Sequence, residues 1–502
     1  MASLDRTSPT SHYTGQFVIG RAFERVPEGW AEHAVGRWTL ATDLPVCPVR
    51  DPEGQTVGAI IGCAVGDSGF VSDPLGLPVR PGPATADAVE AAVYAHGGRF
   101  ACVLAAEGFE RLYLDPGGTL AAVYGRGGAA STGTLLAWAT GTPFRLPDPP
   151  VATDGFFYAG RTSDPDIHRL LPNHYADLAT GGAVRHHWHE APVPVADDEV
   201  PALVAEIADG IRRNVRAAAS QGPVHLGVTA GRDSRMLLAC AREVRDALHL
   251  YTFAHPSAGA DVAAGRAIAR RLGLPHTTVP VETPSDETKE AYLVRTGYAG
   301  NWGKAMDFYV GVGRHLAPGR PLLSGFGGEL GRASRMQRAL TPDTAITPRM
   351  VLERYGDAAL PERVEALQRW FDGVTRTDAF AFLTQVYWEN RMGCWASPHL
   401  YGTAPTATPL VPFVDRRVVD AMARLPAAYR LESRLADDLV RAGWPELARF
   451  PYQRRPGLVG FAERAYHAVR RRTVERVAGW AGRTLRHGTG RSRPTALESG
   501  AS

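Results

Sequence analysis

The spacing of hydrophobic and polar residues changes near residue 195. Before it, short apolar runs alternate with turns rich in Gly and Pro, a spacing typical of β-strands. After it, apolar runs of strand length alternate with stretches of helical periodicity, beginning with a predicted helix at Val200–Ser220. The pattern therefore predicts a layered, β-rich domain at 1–195, an α/β domain at 196–487 and a disordered tail at 488–502.

The predicted strands of the first domain are short. They are Phe17–Ile19, Val57–Ile61, Phe100–Leu104, Arg111–Leu114 and Leu136–Trp138. Turn residues such as Asp115-Pro116-Gly117-Gly118 separate them. A Pro-rich linker, 191–198, is expected to lead into the second domain.

The second domain is expected to contain a parallel, doubly wound sheet. Strands are predicted at Leu248–Phe253, His276–Val281 and Pro321–Leu323. A helix is predicted at Asp261–Leu272, with Asp261 as its cap and a ligand role for Asp261 as the alternative. Strands alternating with helices favour parallel pairing, and ligands of such sheets bind at the carboxyl ends of the strands. The residue pattern at 334–380 predicts helices joined by loops, and we expect this segment to form a lid.

The most informative stretch is His225–Val244, HLGVTAGRDSRMLLACAREV, which predicts a strand, a turn of small residues and a helix. The turn Thr229–Ser234 places bare backbone N–H groups and two hydroxyls at the helix N-terminus. Such a terminus binds anions. Because Asp233 would repel phosphate unless a cation lay between them, the turn predicts a site for Mg²⁺ and ATP.

Composition narrows the function classes. The chain has 502 residues, of which 44% are hydrophobic and 21% charged, as in ordinary globular proteins. A net charge of +3 gives no reason to expect a nucleic-acid partner. The N-terminus has no secretory pattern, and the longest apolar run is far short of the ~20 residues that span a bilayer, so no membrane partner is expected. Five scattered cysteines indicate a reducing, cytoplasmic compartment.

Several motifs together resemble one family. Thr229–Ser234 is similar to the Ser-Gly-Gly-x-Asp-Ser pyrophosphate loop of ATP pyrophosphatases, or PP-loop enzymes. Leu323–Gly331, LSGFGGELG, and Pro412–Asp415 resemble later signatures of the asparagine synthetase family, and the likeness covers roughly residues 200–460. Gly98–Leu104 and Ala129–Ala137 resemble that family's glutaminase domain, an N-terminal-nucleophile (Ntn) fold.

The resemblance implies an ATP-dependent, AMP-forming carbon–nitrogen ligase. A carboxylate attacks the α-phosphate of ATP, and an amine then displaces AMP to form an amide. The implied Mg²⁺ ligands are Asp233 and Glu329, and Phe253 is expected to flank adenine. The other nucleotide-binding residues that the resemblance implies are Thr229, Ala230, Gly231, Arg232, Ser234, Gly325, Gly327 and Gly328.

Three positions depart from the family. The glutaminase needs a cysteine after the initiator Met, but Ala2 stands there and cannot form an acyl-enzyme. The amine donor is therefore expected not to be glutamine, as in the β-lactam synthetases and the lasso-peptide cyclases. Phe326 replaces a residue that helps to deprotonate the amine. Glu389 is the candidate catalytic replacement, the alternative being an ion pair with an arginine such as Arg391.

The third departure concerns a lysine that relatives place on a late loop. Here Arg454 and Arg455 occupy the corresponding segment. A guanidinium can clamp phosphate in a bidentate manner, so both are candidate catalytic residues, the alternative being a solvated basic surface. Arg235, beside the first loop, is a further candidate for phosphate contact.

The sequence leaves several functions open. The first is a synthetase of specialised metabolism, such as antibiotic biosynthesis, that joins a small carboxylic acid to an amine. A lasso-peptide macrolactam synthetase acting on a peptide and a non-catalytic nucleotide-binding scaffold are the alternatives. Whether the chain forms a homodimer is also open.

Overall fold

The computed structural model describes residues 12–80, 85–146, 156–190, 192–255, 258–299, 303–332, 340–376 and 378–452. The chain divides into two compact units, Met1–Pro451 and Tyr452–Ser502. The account below concerns the described residues of the first unit, which hold a mixed α/β fold with three sheets.

The first 195 residues build two sheets that are antiparallel apart from one parallel strand pair. The strands are β1 (Phe17–Gly20), β2 (Ala31–Val35), β3 (Trp38–Thr42), β4 (Val46–Arg50), β5 (Thr56–Gly66), β6 (Gly69–Phe70), β7 (Leu75–Gly76), β8 (Gly97–Ala106), β9 (Phe109–Leu114), β10 (Val123–Gly125), β11 (Gly128–Ala130), β12 (Ile167–Arg169), β13 (His174–Asp177) and β14 (Gly182–Arg185). One sheet runs β12-β10-β11-β1-β3-β2. The other runs β14-β13-β9-β8-β5-β4-β7, with β6 paired to β5.

The two sheets pack face to face. Side chains such as Phe17 and Leu40 of one sheet meet Ile61 and Val103 of the other in a common core. Helix α1 (Thr85–Val93) covers the outer face of the second sheet, and α2 (Gly133–Ala139) covers that of the first. Much of β8 is therefore buried on both of its faces, which explains its apolar run Phe100–Leu104.

Four of the five strands predicted in this region lie within observed strands, but Leu136–Trp138 does not. It lies in α2, where Thr132 caps the helix by accepting from the Leu135 N–H. A run of three apolar residues is compatible with a buried helix as well as with a strand. The Thr132 cap at the start of this segment favours the helix.

The remainder is helical around a third sheet. The helices are α3 (Val200–Ser220), α4 (Arg232–Cys240), α5 (Gly259–Leu272), α6 (Asp286–Thr296), α7 (Gly303–His315), α8 (Pro348–Tyr355), α9 (Pro361–Asp372), α10 (Ala379–Val386), α11 (Ser397–His399), α12 (Arg416–Ala423), α13 (Ala427–Leu431) and α14 (Arg434–Gly443). A π-helical stretch, Tyr387–Ala396, continues α10. Two helices, 348–355 and 361–372, thus lie within the segment predicted to be helices and loops.

The third sheet is parallel throughout. Its strands are β15 (Val224–Gly227), β16 (Leu248–Ala254), β17 (His276–Pro280), β18 (Pro321–Leu323) and β19 (Thr408–Leu410), in the order β17-β16-β15-β18-β19. Successive strands step outward from β15 to β17, and the chain then returns to β18 on the other side of β15. The carboxyl ends of β15 and β18 therefore flank a topological switch point, where ligands of open α/β sheets bind.

Among the described residues, no helix has the length and apolar character that crossing a bilayer requires. All five cysteines are free thiols, and four are buried.

Candidate functional site

The cradle loop, Thr229–Ser234, connects β15 to α4 and is held by its own hydroxyls. Ser234 Oγ accepts from the Thr229 N–H at 3.1 Å, and Thr229 Oγ1 accepts from the Gly231 N–H at 3.0 Å. A Cβ on Gly231 would lie only 2.9 Å from Thr229 Oγ1, so a larger residue here would have to displace the Thr229 hydroxyl from its bond to the Gly231 N–H. No side chain caps the first turn of α4, which keeps the anion-binding character of a helix N-terminus.

Asp261 reaches the cradle loop instead of capping its own helix. Helix α5 begins at Gly259 after the cap residue Ala258, so the prediction of an Asp261 cap is wrong. Asp261 Oδ1 accepts from the Ala230 N–H at 2.9 Å. With the two hydrogen bonds inside the loop, the N–H groups of Thr229, Ala230 and Gly231 therefore all have acceptors. The expectation that they are bare is therefore also wrong, because buried donors almost always find a partner.

We expect Asp261→Ala to lower the free energy of unfolding by about 1–2 kcal/mol, because it removes a charged acceptor from the Ala230 amide. Asp261→Asn keeps an acceptor oxygen and is expected to lose less. Urea denaturation measures both, with Asp246→Ala as the control at a fully exposed carboxylate. Equal stability of Asp261→Ala and the wild type would show that this hydrogen bond contributes nothing.

The second loop, Ser324–Glu329, follows β18 and packs directly on the start of α4. A Cβ on Gly328 would lie 3.1 Å from both Cβ and Oδ1 of Asp233, and one on Gly325 would lie 3.4 Å from Asp233 Cβ. Gly327 adopts a φ of +86°, in the left-handed region. The glycines therefore allow the two loops to touch, which longer side chains at these positions would prevent.

A guanidinium joins the two predicted metal ligands. Arg332 Nε and Nη2 donate to Asp233 Oδ1 and Oδ2 at 2.5 and 2.7 Å, and Nη2 donates to Glu329 Oε1 at 3.2 Å. The exposed fractions of the Asp233, Glu329 and Arg332 side chains are 21%, 31% and 21%. The structure thus brings the two carboxylates together, with Arg332 between them.

Burial raises the pKa of the Asp233 carboxyl, and the hydrogen bonds and charge of Arg332 oppose that shift. Tyr387 lies close enough for both carboxylates to act on it. Burial first, and then the charges of Glu329 and Asp233, raise the pKa of its hydroxyl well above the usual value. The phenol is therefore neutral and cannot serve as a base. Among the described residues, no group of three or more His, Cys, Asp or Glu side chains is placed to hold a metal ion.

Two predicted aromatic positions have aromatic neighbours. Phe253, near the carboxyl end of β16, stacks on Phe308 of α7 with ring centroids 4.3 Å apart. Phe326, on the second loop, is 36% exposed and meets the edge of Trp395 at 6.0 Å. Phe326 therefore presents a partly exposed hydrocarbon surface on the second loop and offers no proton acceptor.

Glu389 is a structural residue, which corrects its interpretation as a catalytic base. It is fully buried, and Arg185 binds both of its oxygens, one bond being 2.7 Å long. Further donors are Asn173 Nδ2 at 3.0 Å, Trp370 Nε1 at 2.8 Å and Gln385 Nε2 at 3.3 Å. A carboxylate with both oxygens occupied and no access to solvent cannot take a proton from an incoming amine. The ion-pair alternative is correct in kind, but the partner is Arg185 and not Arg391.

Arg235 is likewise structural. It is 1% exposed and donates to the Phe450 and Pro451 carbonyls, the Pro451 bond being 2.7 Å long. Its predicted phosphate contact is therefore wrong. Arg454 and Arg455 lie outside the described residues, and their assignment stays a prediction.

Sequence reasoning missed Arg332 and the true role of Asp261. A signal for Arg332 exists, since it follows Glu329 by three residues, the spacing of neighbours on a helical turn. Its stronger bonds go to Asp233, 99 residues away, and no local pattern shows them.

No family model and no curated protein sequence matches the chain. Among solved structures, glutamine-dependent NAD+ synthetase from Acinetobacter baumannii, in complex with ADP, is 17% identical over 32% of this chain and 30% of that one, with a TM-score of 0.16. Glutamine phosphoribosylpyrophosphate amidotransferase from B. subtilis, complexed with ADP and GMP, is 10% identical over 65% and 72%, with a TM-score of 0.20. The chain thus spans less than a third of the NAD+ synthetase. At this level of similarity, the case for a function rests on the geometry of the site.

Proposed function

We propose that this chain is an ATP-dependent, AMP-forming amide-bond synthetase of specialised metabolism. A substrate carboxylate oxygen attacks the α-phosphate of ATP and pyrophosphate leaves. The nitrogen of an amine then attacks the acyl carbon, AMP leaves, and the amine proton is lost. One observation carries the proposal: Arg332 joins the carboxylates of Asp233 and Glu329. These residues come from loops that follow the adjacent parallel strands β15 and β18, and Asp233 lies in the first turn of α4, which no side chain caps.

The residues present suit a magnesium–triphosphate ligand. Mg²⁺ in such sites is usually held by one or two carboxylates together with phosphate oxygens, and Asp233 and Glu329 supply two on one side of the cradle loop. When bound, the ion would neutralise charge that develops on the transferring phosphate. The first turn of α4 would bind phosphate oxygens, and Arg332 would exchange its carboxylate partners for phosphate.

The N-terminal domain is proposed to be a scaffold. Residues 1–195 would form a glutaminase-like Ntn domain without its nucleophile, because Ala2 has no thiol. Residues 196–487 would form the PP-loop synthetase domain, followed by the tail at 488–502. The amine would come from the second substrate or from ammonia. We propose that the protein is cytoplasmic and that its substrates are small molecules or peptides. We also propose that two copies of the chain form a homodimer.

Pyrophosphate exchange tests the proposal. The full chain, Mg²⁺, ATP and labelled pyrophosphate are incubated with panels of small carboxylic acids and of peptides. Label is expected to enter ATP only in the presence of a cognate acid. Exchange with small acids disfavours a lasso-peptide macrolactam synthetase. The second candidate is a non-catalytic nucleotide-binding scaffold, because Arg332 already occupies the Asp233 carboxylate. It would be favoured if calorimetry detects ATP binding but neither exchange nor AMP release occurs with either panel.

Arg332→Gln is expected to raise the affinity of the nucleotide-free protein for Mn²⁺ by at least about tenfold. The reason is that the Arg332 guanidinium competes for three of the four carboxylate oxygens of the pair. Electron paramagnetic resonance of free Mn²⁺ measures the affinity. Arg369→Gln, at an exposed ion pair, is the control and should leave it unchanged. An unchanged affinity in Arg332→Gln would mean that the two carboxylates do not form a cation site.

A further inference from the structure

The π-helical stretch Tyr387–Ala396 has one side that the rest of the fold does not bury. Its residues are all buried except two, Arg391 and Trp395, which are partly exposed. Arg391 precedes Trp395 by four residues, close to one turn of a π-helix, so the two side chains lie on the same side of it. Turns of π-helix are rare and frequently occur at functional sites, which makes this side a candidate binding surface.

The two partly exposed residues stack on each other. The guanidinium of Arg391 lies over the Trp395 ring, 3.5 Å from its centroid, and the Phe156 and Tyr355 rings lie 5.8 and 6.0 Å from the guanidinium. A guanidinium that rests with its face on a ring directs its N–H groups sideways, in the plane where a carboxylate binds in a bidentate manner. Its five donors allow it to bind a carboxylate in addition to other acceptors.

Phe326 extends this side toward the second loop. Its ring centroid lies 6.0 Å from that of Trp395, and the two ring planes are nearly perpendicular, at 79°. Within the part of the chain that the structure describes, Phe326 is the one aromatic residue among the exposed large hydrophobic side chains. Adjoining apolar side chains that stay in contact with water are typical of ligand-binding grooves, because a ligand that covers them removes apolar area from water.

The side chains of this side lie next to the two carboxylates of the proposed nucleotide site. Tyr387, the first residue of the π-helical stretch, provides the connection. The charges of Glu329 and Asp233 act on its hydroxyl, and the charge of Arg391 acts on the same group. Because Arg332 bridges both carboxylates, their negative charge is balanced when an anionic ligand approaches Arg391. A ligand bound here would therefore have one end close to the nucleotide.

We propose that Phe326, Arg391 and Trp395, here called the aromatic surface, bind the acid substrate and select a carboxylic acid that carries an aromatic ring. The ring would pack against the Phe326 and Trp395 rings, and the carboxylate would accept from the Arg391 guanidinium. The inference rests on the proposed function, in which a carboxylate is the first substrate. It names the class of that substrate and the residues that choose it.

Direct binding to the full chain tests the proposal without requiring turnover. Ligand-observed NMR titrations compare cinnamate with 3-cyclohexylpropionate, which has a saturated ring, and with cinnamamide, which has no charge. Cinnamate is expected to bind about fivefold more tightly than the saturated acid, because aromatic and cation–π contacts add to the burial of apolar area. It is expected to bind about tenfold more tightly than the amide, because the charge-assisted hydrogen bonds to Arg391 are lost. Equal affinity for cinnamate and the saturated acid overturns the proposal.

Three variants assign the two preferences to their residues. Phe326→Leu and Trp395→Leu should each reduce the preference for the aromatic acid over the saturated one. Arg391→Met should abolish the preference for the acid over the amide, and Arg391→Lys should restore part of it. Leu360→Ala, at an exposed apolar position away from this stretch, is the control and should bind all three probes like the wild type. If Trp395→Leu does not fold, Phe326→Leu decides, since that side chain is already exposed. Unchanged preferences in Phe326→Leu and Arg391→Met overturn the assignment.

Pyrophosphate exchange with the same acids separates failure of this inference from failure of the proposed function. Exchange with both acids at equal efficiency, or with the saturated acid alone, would uphold the synthetase and reject the aromatic surface. Residue-dependent binding of cinnamate without exchange in the presence of any acid would uphold the aromatic surface and reject the synthetase. Exchange that favours cinnamate and loses this preference in Phe326→Leu would support both.

Discussion

Asp233→Asn is expected to reduce ATP–pyrophosphate exchange by a factor on the order of 10²–10³, the usual effect of removing one electrostatic contact to a transition state. The substitution keeps the shape of the side chain and removes the charge that faces Glu329 across Arg332. Under the proposed function, that charge holds the magnesium ion against the phosphates. Exchange assays at saturating ATP and cognate acid measure the loss.

Two further proteins separate loss of charge from loss of fold. Asp437→Asn alters an exposed aspartate on α14 and should exchange label like the wild type. The double variant Asp233→Asn/Arg332→Gln removes the guanidinium that would otherwise be left without its main partner, so it should unfold near the wild-type temperature and still lack exchange. Wild-type exchange in Asp233→Asn would refute the assignment of this carboxylate to the nucleotide site.

The parts of the fold that the sequence predicted correctly are those with strong local periodicity. Helix α3 begins and ends at the predicted residues, because 21 residues of helical spacing leave few alternatives. The strand, loop and helix around the cradle loop are also confirmed, since the apolar strand, the glycine turn and the amphipathic helix follow one another without interruption. In contrast, the three-residue run Leu136–Trp138 held too little information to separate a strand from a helix.

The parts of the site that could not be predicted depend on partners distant in the chain. Arg185 and Glu389 are 204 residues apart, and Ala230 and Asp261 are 31 apart. No periodicity shows which acid an arginine will meet once the chain has folded. The meeting of Asp233 with the second loop was within reach for a different reason: adjacent parallel strands place the loops at their carboxyl ends together.

Glu389→Gln is expected to destabilise the protein by about 3–5 kcal/mol, because it leaves the Arg185 charge unpaired in the interior. Burial alone would raise the pKa of Glu389, but the charge of Arg185 and, with it, that of His174 hold this pKa below its usual value. A carboxyl with a lowered pKa stabilises the fold above its ordinary pKa and loses that effect as the pH falls through the lowered one. The difference between wild type and variant should therefore be full near pH 7 and shrink in acid.

Chemical denaturation at pH 7 and in acid measures this difference, and Glu365→Gln is the matched control. Glu365 pairs with Arg369 on the surface, where both side chains are more than half exposed, so its loss should cost less than about 0.5 kcal/mol. The experiment also separates the two interpretations of Glu389. A structural carboxylate predicts lost stability in Glu389→Gln and near-normal turnover in the protein that remains folded. Wild-type stability with abolished turnover would instead return Glu389 to the role of base, and the Arg185 pair would then have to open during catalysis.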